Sequence, residues 1–104
     1  MTLPLFVLPP AELDMVAALD DLRTERPGHV PLFRLELERT LRLIQLWPWS
    51  CQRTDDPQFR RAVMPRFQRL VVYRVLDTRI EVIGLVSSRD DPATLAARLC
   101  PSQS

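Results

Sequence analysis

Lysine is absent from these 104 residues, and all fourteen basic side chains are arginine. That absence removes the amine nucleophiles and proton carriers lysine supplies, apart from the chain terminus. Arginine does not replace them, because a guanidinium stays protonated and makes a poor general base. Glycine is almost as scarce: with only Gly28 and Gly84, no glycine-rich phosphate loop can be built. The single histidine, His29, and the two distant cysteines, Cys51 and Cys100, match no metal-ligand spacing and no Cys–His or Ser–His–Asp arrangement. Two reduced cytosolic thiols and a surface-loop histidine in Pro27-Gly28-His29-Val30-Pro31 are expected, and neither a metal nor a cofactor is implied. No apolar run approaches the ~20 residues that span a bilayer. The first residues lack the basic region and small-residue cleavage site of a signal peptide, so the expected compartment is the cytoplasm.

What is present argues for a folded domain. Apolar residues make up 46% of the chain and charged residues 26%, a balance unlike that of disordered segments. The length suits one domain with its own core. Net charge is only +1, yet its distribution is uneven. Between Cys51 and Arg79 lie Arg53, Arg60, Arg61, Arg66, Arg69, Arg74 and Arg79 against Asp55, Asp56 and Asp77, a local balance of +4, while the remainder carries −3. Such a basic stretch meets an acidic protein segment, a phosphate backbone or simply water.

Leu3–Leu8 is a short apolar run closed by Pro9-Pro10, and it reads as a first strand whose Pro4 implies a sheet edge. Ala11, Met15, Ala18, Leu19 and Leu22 then recur at helical spacing, which predicts a helix from Pro10 to Glu25 ended by Arg26-Pro27-Gly28. A second helix is predicted from Pro31 to Leu46. It carries Phe33, Leu37, Leu41 and Ile44 on one stripe and Leu32, Leu35, Leu43 and Leu46 on another. A helix apolar on two faces needs two neighbours. The first helix and the sheet supply both, or a partner protein docks on one stripe.

Trp47 to Gln58 reads as a polar loop, its tryptophans capping the core end of the helical pair rather than stacking bases. Phe59–Met64 is a weaker strand. Arg69–Leu76 and Arg79–Val86 are stronger ones, rich in β-branched residues and joined at Asp77-Thr78 by a hairpin whose turn type the residues leave open. Pro92 opens a short last helix, Ala93–Leu99, behind Asp90-Asp91, and a frayed tail follows from Pro101. The order is that of an α+β fold: an N-terminal strand, a helical hairpin, an antiparallel three-stranded meander and a short C-terminal helix. The apolar residues of the meander fall on both faces, so its second face needs the terminal helix or a partner. The chemistry on offer is arginine with one tyrosine, Tyr73, which favours binding over catalysis.

The segment Arg61…Arg66-Phe67-Gln-Arg-Leu-Val-Val-Tyr73-Arg74-Val75…Asp77…Ile80-Glu-Val82…Val86-Ser-Ser-Arg89-Asp90 resembles the RelE/ParE superfamily of bacterial toxin–antitoxin toxins. Ala11-x-x-Asp14-Met15-x-x-Ala18 is similar to its first helix, and Leu46-Trp-Pro48 to the step closing its second. The resemblance covers roughly Leu5 to Leu99. It implies one of two mechanisms. RelE-like members are ribosome-dependent messenger RNA endoribonucleases using Lys, Arg and Tyr, a set that would fall here on Arg61, Arg69, Tyr73 and Arg89. ParE-like members lack that set and poison DNA gyrase. Here lysine is missing, the position three before Tyr73 is Leu70, and Arg69 falls on the opposite strand face. No Tyr, Lys or His follows Arg89.

The resemblance thus implies a ParE-like toxin held in a hetero-oligomer by a small antitoxin. That partner folds onto the apolar stripes at Leu35 and Leu43 and sets acidic residues against Arg60, Arg61, Arg66, Arg69, Arg74 and Arg89. The RNA-cleaving reading stays open. So does a non-toxic binding module of the same fold, because Cys51, Gln68-Arg69 and Ser87-Ser88 depart from the family pattern.

Overall fold

The two β-branched runs form the hairpin on which everything else is laid. In the computed structural model, which describes residues 2–88, Arg69–Val75 (β4) pairs antiparallel with Ile80–Ser87 (β5). The Leu76 N–H donates to the Arg79 carbonyl at 2.8 Å and closes the turn. Gln68 is the one residue with positive φ among those described, so Asp77-Thr78 is not a primed two-residue turn, which needs positive φ. Arg60–Met64 (β3) pairs antiparallel with β4 and completes the expected meander.

The sheet extends beyond that meander at both edges. Leu5–Val7 (β1) lies parallel to β5, and Gln52–Arg53 (β2) pairs with β3, giving the order β1-β5-β4-β3-β2. The first strand is shorter than the Leu3–Leu8 run. Pro4 and Leu8 still bond β5 from its flanks, through Ile80 N–H to Pro4 O and Leu8 N–H to Val82 O, both at 2.9 Å. Strand β2 has two exposed polar residues and no alternation, so nothing in the loop sequence announces it.

Pro9–Glu25 (α1) and Val30–Leu46 (α2) each begin with proline in the first turn, where a missing N–H costs no helix bond. A 3₁₀ turn, Pro27–His29, joins them. Helix α1 lies on β5 and α2 on β3. Between helices and sheet sit Ala11, Ala18, Phe33 and Ile44 against Met64, Val71, Tyr73, Ile80, Val82 and Leu85. The β4–β5 register steps from Val72 opposite Gly84 to Tyr73 opposite Val82, leaving Ile83 as a bulged extra residue. Beside that bulge the Asp14 carboxylate accepts the Leu85 N–H at 3.0 Å and ties α1 to the sheet.

Alternation places Leu70 and Val72 on the opposite face, where they form a second buried cluster with Phe59 and Val86 and the half-buried Ile83. The meander is apolar on both faces, as its sequence implies. The predicted helix Ala93–Leu99, Cys100 and the tail from Pro101 lie outside the described residues. No helix among the described residues is long and apolar enough to cross a membrane.

One of two alternatives falls, and one expectation is corrected. Helix α1 and the sheet do not cover the second leucine stripe of α2: Leu32, Leu35, Leu43 and Leu46 are 43–51% exposed. Helix α1 and the sheet both contact the Phe33–Ile44 side, leaving the outer line to solvent. The tryptophans do not cap the core either. Trp47 and Trp49 are 62% and 64% exposed, because the loop turns outward once Pro48 has been anchored from inside.

Candidate functional site

The outer line of α2 is an unpartnered apolar surface with a basic component. Leu32, Leu35, Leu43 and Leu46 recur at spacings of three and eight, and Arg39 falls midway on the same line. On one flank a groove of about 500 Å³ runs between α2 and β1, lined by Leu5, Leu35, Glu38, Leu41, Arg42 and Gln45. Gln45 Nε2 donates to the Leu3 carbonyl at 3.0 Å and holds the N-terminal segment against the helix. Leu35 belongs to both groove and stripe. An apolar line broken by a central arginine fits an amphipathic helix bearing an acidic residue on its own apolar face.

The sheet arginines are arranged differently. Arg60 turns under the loop that follows α2. Its Nη1 donates to the Cys51 carbonyl at 2.7 Å and the Trp49 carbonyl at 3.2 Å, and its guanidinium lies 5.1 Å from the Trp49 ring centroid. Arg61, on the other face, donates to Gln52 Oε1 at 3.1 Å. Arg74 and Arg79 both close on Glu81, with Arg74 Nη2 2.6 Å from Oε1 and Arg79 Nε 2.9 Å from Oε2. The hydrogen bond from Arg74, then the charges of both guanidiniums, hold the Glu81 carboxyl below the usual carboxylate range in spite of its burial. Arg69 reaches Asp21 of α1 only at 4.0 Å. Arg66 is exposed on the Pro65–Phe67 3₁₀ turn. Arg89 lies outside the described residues.

Tyr73 is fully buried and donates its hydroxyl to the Pro48 carbonyl at 2.7 Å. Burial first, then the neighbouring Cys51, push its ionisation far above the ordinary tyrosine range. A hydroxyl so placed pins the loop. It is not open to a substrate. Of the set Arg61, Arg69 and Tyr73, Arg69 and Tyr73 share the helix-covered face of β4, whereas Arg61 projects from the far face of the sheet. The described residues therefore do not bring the three together.

Sequence reasoning named the whole line Leu32, Leu35, Leu43 and Leu46 and singled out Leu35 and Leu43 for a partner, but it turned both tryptophans inward. The signal for the leucines was present as spacing; which stripe was covered was not. For the tryptophans the loop path depends on Tyr73 and Arg60, more than ten residues away, and local sequence carries no trace of it.

No protein-family model matches the sequence, and no curated protein matches it. Among solved structures, a chain of the chromosomal ParDE TA system from P. aeruginosa is similar, with a TM-score of 0.72 over 82% of this chain and 95% of that one at 16% identity. The order of strand, helical pair and antiparallel strands is thus a ParE-like α+β fold shared with that chain, the architecture that the motifs at Asp14, Pro48 and Tyr73 implied.

Proposed function

We propose that this chain is the toxin of a type II toxin–antitoxin pair, a ParE-like protein acting in the cytoplasm by binding and poisoning a target, DNA gyrase. The observation that carries the reading is the uncovered line Leu32–Leu35–Leu43–Leu46 on a fold shared with a ParDE chain. A small antitoxin that folds on binding covers this line with an amphipathic helix and opposes Arg39 and Arg42 with acidic side chains. The burial of Tyr73 and the separation of Arg61 from Arg69 support a binding mode of action over RNA cleavage.

Induction of the chain alone arrests bacterial growth with filamentation, and the purified protein inhibits supercoiling by gyrase. Normal growth under strong induction of folded protein rejects the toxin reading. Cleaved messages in primer extension, lost on Arg61→Ala, assign the fold to the ribosome-dependent nuclease class instead.

A further inference from the structure

We propose that the cleft between the α1–α2 turn and the turn preceding β4 binds a small organic phosphate with a flat apolar body. The cleft borders the line on α2 proposed for the antitoxin and shares Leu32 with it, but its charged rim lies on other elements. The cleft encloses about 550 Å³, within the ~300–1,000 Å³ typical of small-ligand sites. Phe33 is buried behind the floor and meets the half-buried Phe67 edge to face with centroids 5.1 Å apart, so Phe67 and the half-buried Leu22 are the apolar side chains left open there. A flat apolar group can lie against them.

The rim supplies the anion partners. Arg26 comes from the C-terminal end of α1, and Arg66 and Arg69 from the turn ahead of β4. Neither Arg26 nor Arg66 has an ion pair among the described residues, and Arg69 has only the long 4.0 Å contact to Asp21, whose side chain is 70% exposed. With Asp21 and Glu25 also on the rim, three guanidiniums stand against two carboxylates, so one positive charge is left over. Guanidinium forks match phosphate oxygens in pairs, which makes arginine the side chain suited to this ligand.

The convergence depends on Gln68. Its φ of 52° and ψ of 45° place it in the left-handed region, uncommon for a residue other than glycine, asparagine or aspartate. Its carbonyl accepts the Ser88 N–H at 2.8 Å, and its own N–H donates to Pro65 O at 3.4 Å. That reversal carries Arg66 and Arg69 to the same rim.

His29, the only histidine in the chain, lines the cleft, so its ring protons are an isolated NMR reporter. The full chain is titrated with AMP, phenyl phosphate, inorganic phosphate and adenosine. The expected result is a saturable His29 shift with both esters, and at least tenfold weaker response to adenosine and to inorganic phosphate. Arg66→Gln and Arg69→Gln each weaken the esters by about tenfold, the scale of one charge-assisted hydrogen bond. Asp21→Asn tightens them by about threefold, because it removes a weak competitor for Arg69. Arg66 and Asp21 are exposed, so these two variants keep the fold and leave each result readable. Inorganic phosphate binding as tightly as the esters, ester binding unchanged in both arginine variants, or no His29 shift overturns the proposal.

Discussion

The outer line of α2 and the β3–β5 sheet each gather a set of conspicuous side chains among the described residues, and they use them in opposite ways. On α2, four leucines stand about half exposed along one line that neither α1 nor the sheet covers. On the sheet, side chains that water would accept turn to protein instead. Arg60 serves two carbonyls, Arg74 and Arg79 share one carboxylate, and the Tyr73 hydroxyl serves a third carbonyl. Exposed apolar area is what a partner can bury for gain. Polar groups already satisfied inside the fold contribute to its integrity, and removing one side of such a contact strands the other. The comparison separates an apolar line left open, which the proposed function gives to a partner, from sheet arginines that, apart from those near the cleft, hold the scaffold.

The comparison is easiest to break at Tyr73. Tyr73→Ala removes a buried ring from the core and is expected to cost about 3–5 kcal/mol in urea unfolding. Tyr73→Phe keeps the ring, loses the bond to Pro48 O and costs about 1 kcal/mol. The tyrosine's ionisation is raised in the folded state, so the stability it contributes is intact below ~10, the ordinary tyrosine range, and declines as pH rises above it. Tyr73→Phe removes that alkaline decline. A Tyr73→Phe protein of unchanged stability that had lost growth inhibition would instead give the hydroxyl a direct part in the proposed toxicity.

On α2 the expected pattern is the reverse. Leu35→Glu with Leu43→Glu leaves unfolding free energy within about 0.5 kcal/mol, as for other exposed positions. On the proposed function, the same pair is expected to weaken binding of the antitoxin by about 100-fold, near 3 kcal/mol, measurable by calorimetry. Intact affinity would move the antitoxin elsewhere on the surface.

Smaller effects sharpen the sheet side. Glu81→Gln strands two guanidiniums and is expected to cost about 1–2 kcal/mol. Its carboxyl is held low in the folded state. Its contribution is therefore present above ~4.3, the ordinary glutamate range, and is lost as pH falls through the lowered folded value. Glu81→Gln should remove that part of the acid sensitivity. Arg60→Ala is expected to cost about 1 kcal/mol; loss of the cation stacked on Trp49 is expected to change tryptophan emission more than stability.

The motif positions explain why the architecture could be read and the site only in part. Asp14 takes a sheet N–H, Pro48 offers the carbonyl that Tyr73 needs, and Ala11 and Ala18 are small where α1 meets the sheet. Each is a contact that builds the fold, so a resemblance carried by these residues speaks to architecture before it speaks to chemistry. The arginines stood out by number alone. Number does not say whether a guanidinium meets a backbone carbonyl, a glutamate or a ligand.

Sequence alone determined the elements: helices at 3.6-residue spacing, strands by β-branched runs, the α+β order, and a chain without lysine or glycine-rich loops. Those depend on neighbours a few residues apart. The parallel seat of β1 beside β5, the two-residue β2, the outward tryptophans and the uncovered stripe of α2 were decided by tertiary structure. Each depends on residues far apart in the chain, such as Tyr73 reaching Pro48, whose meeting no local periodicity encodes. Burial is a property of the assembled layers, and only their packing selects which apolar face is left for a partner.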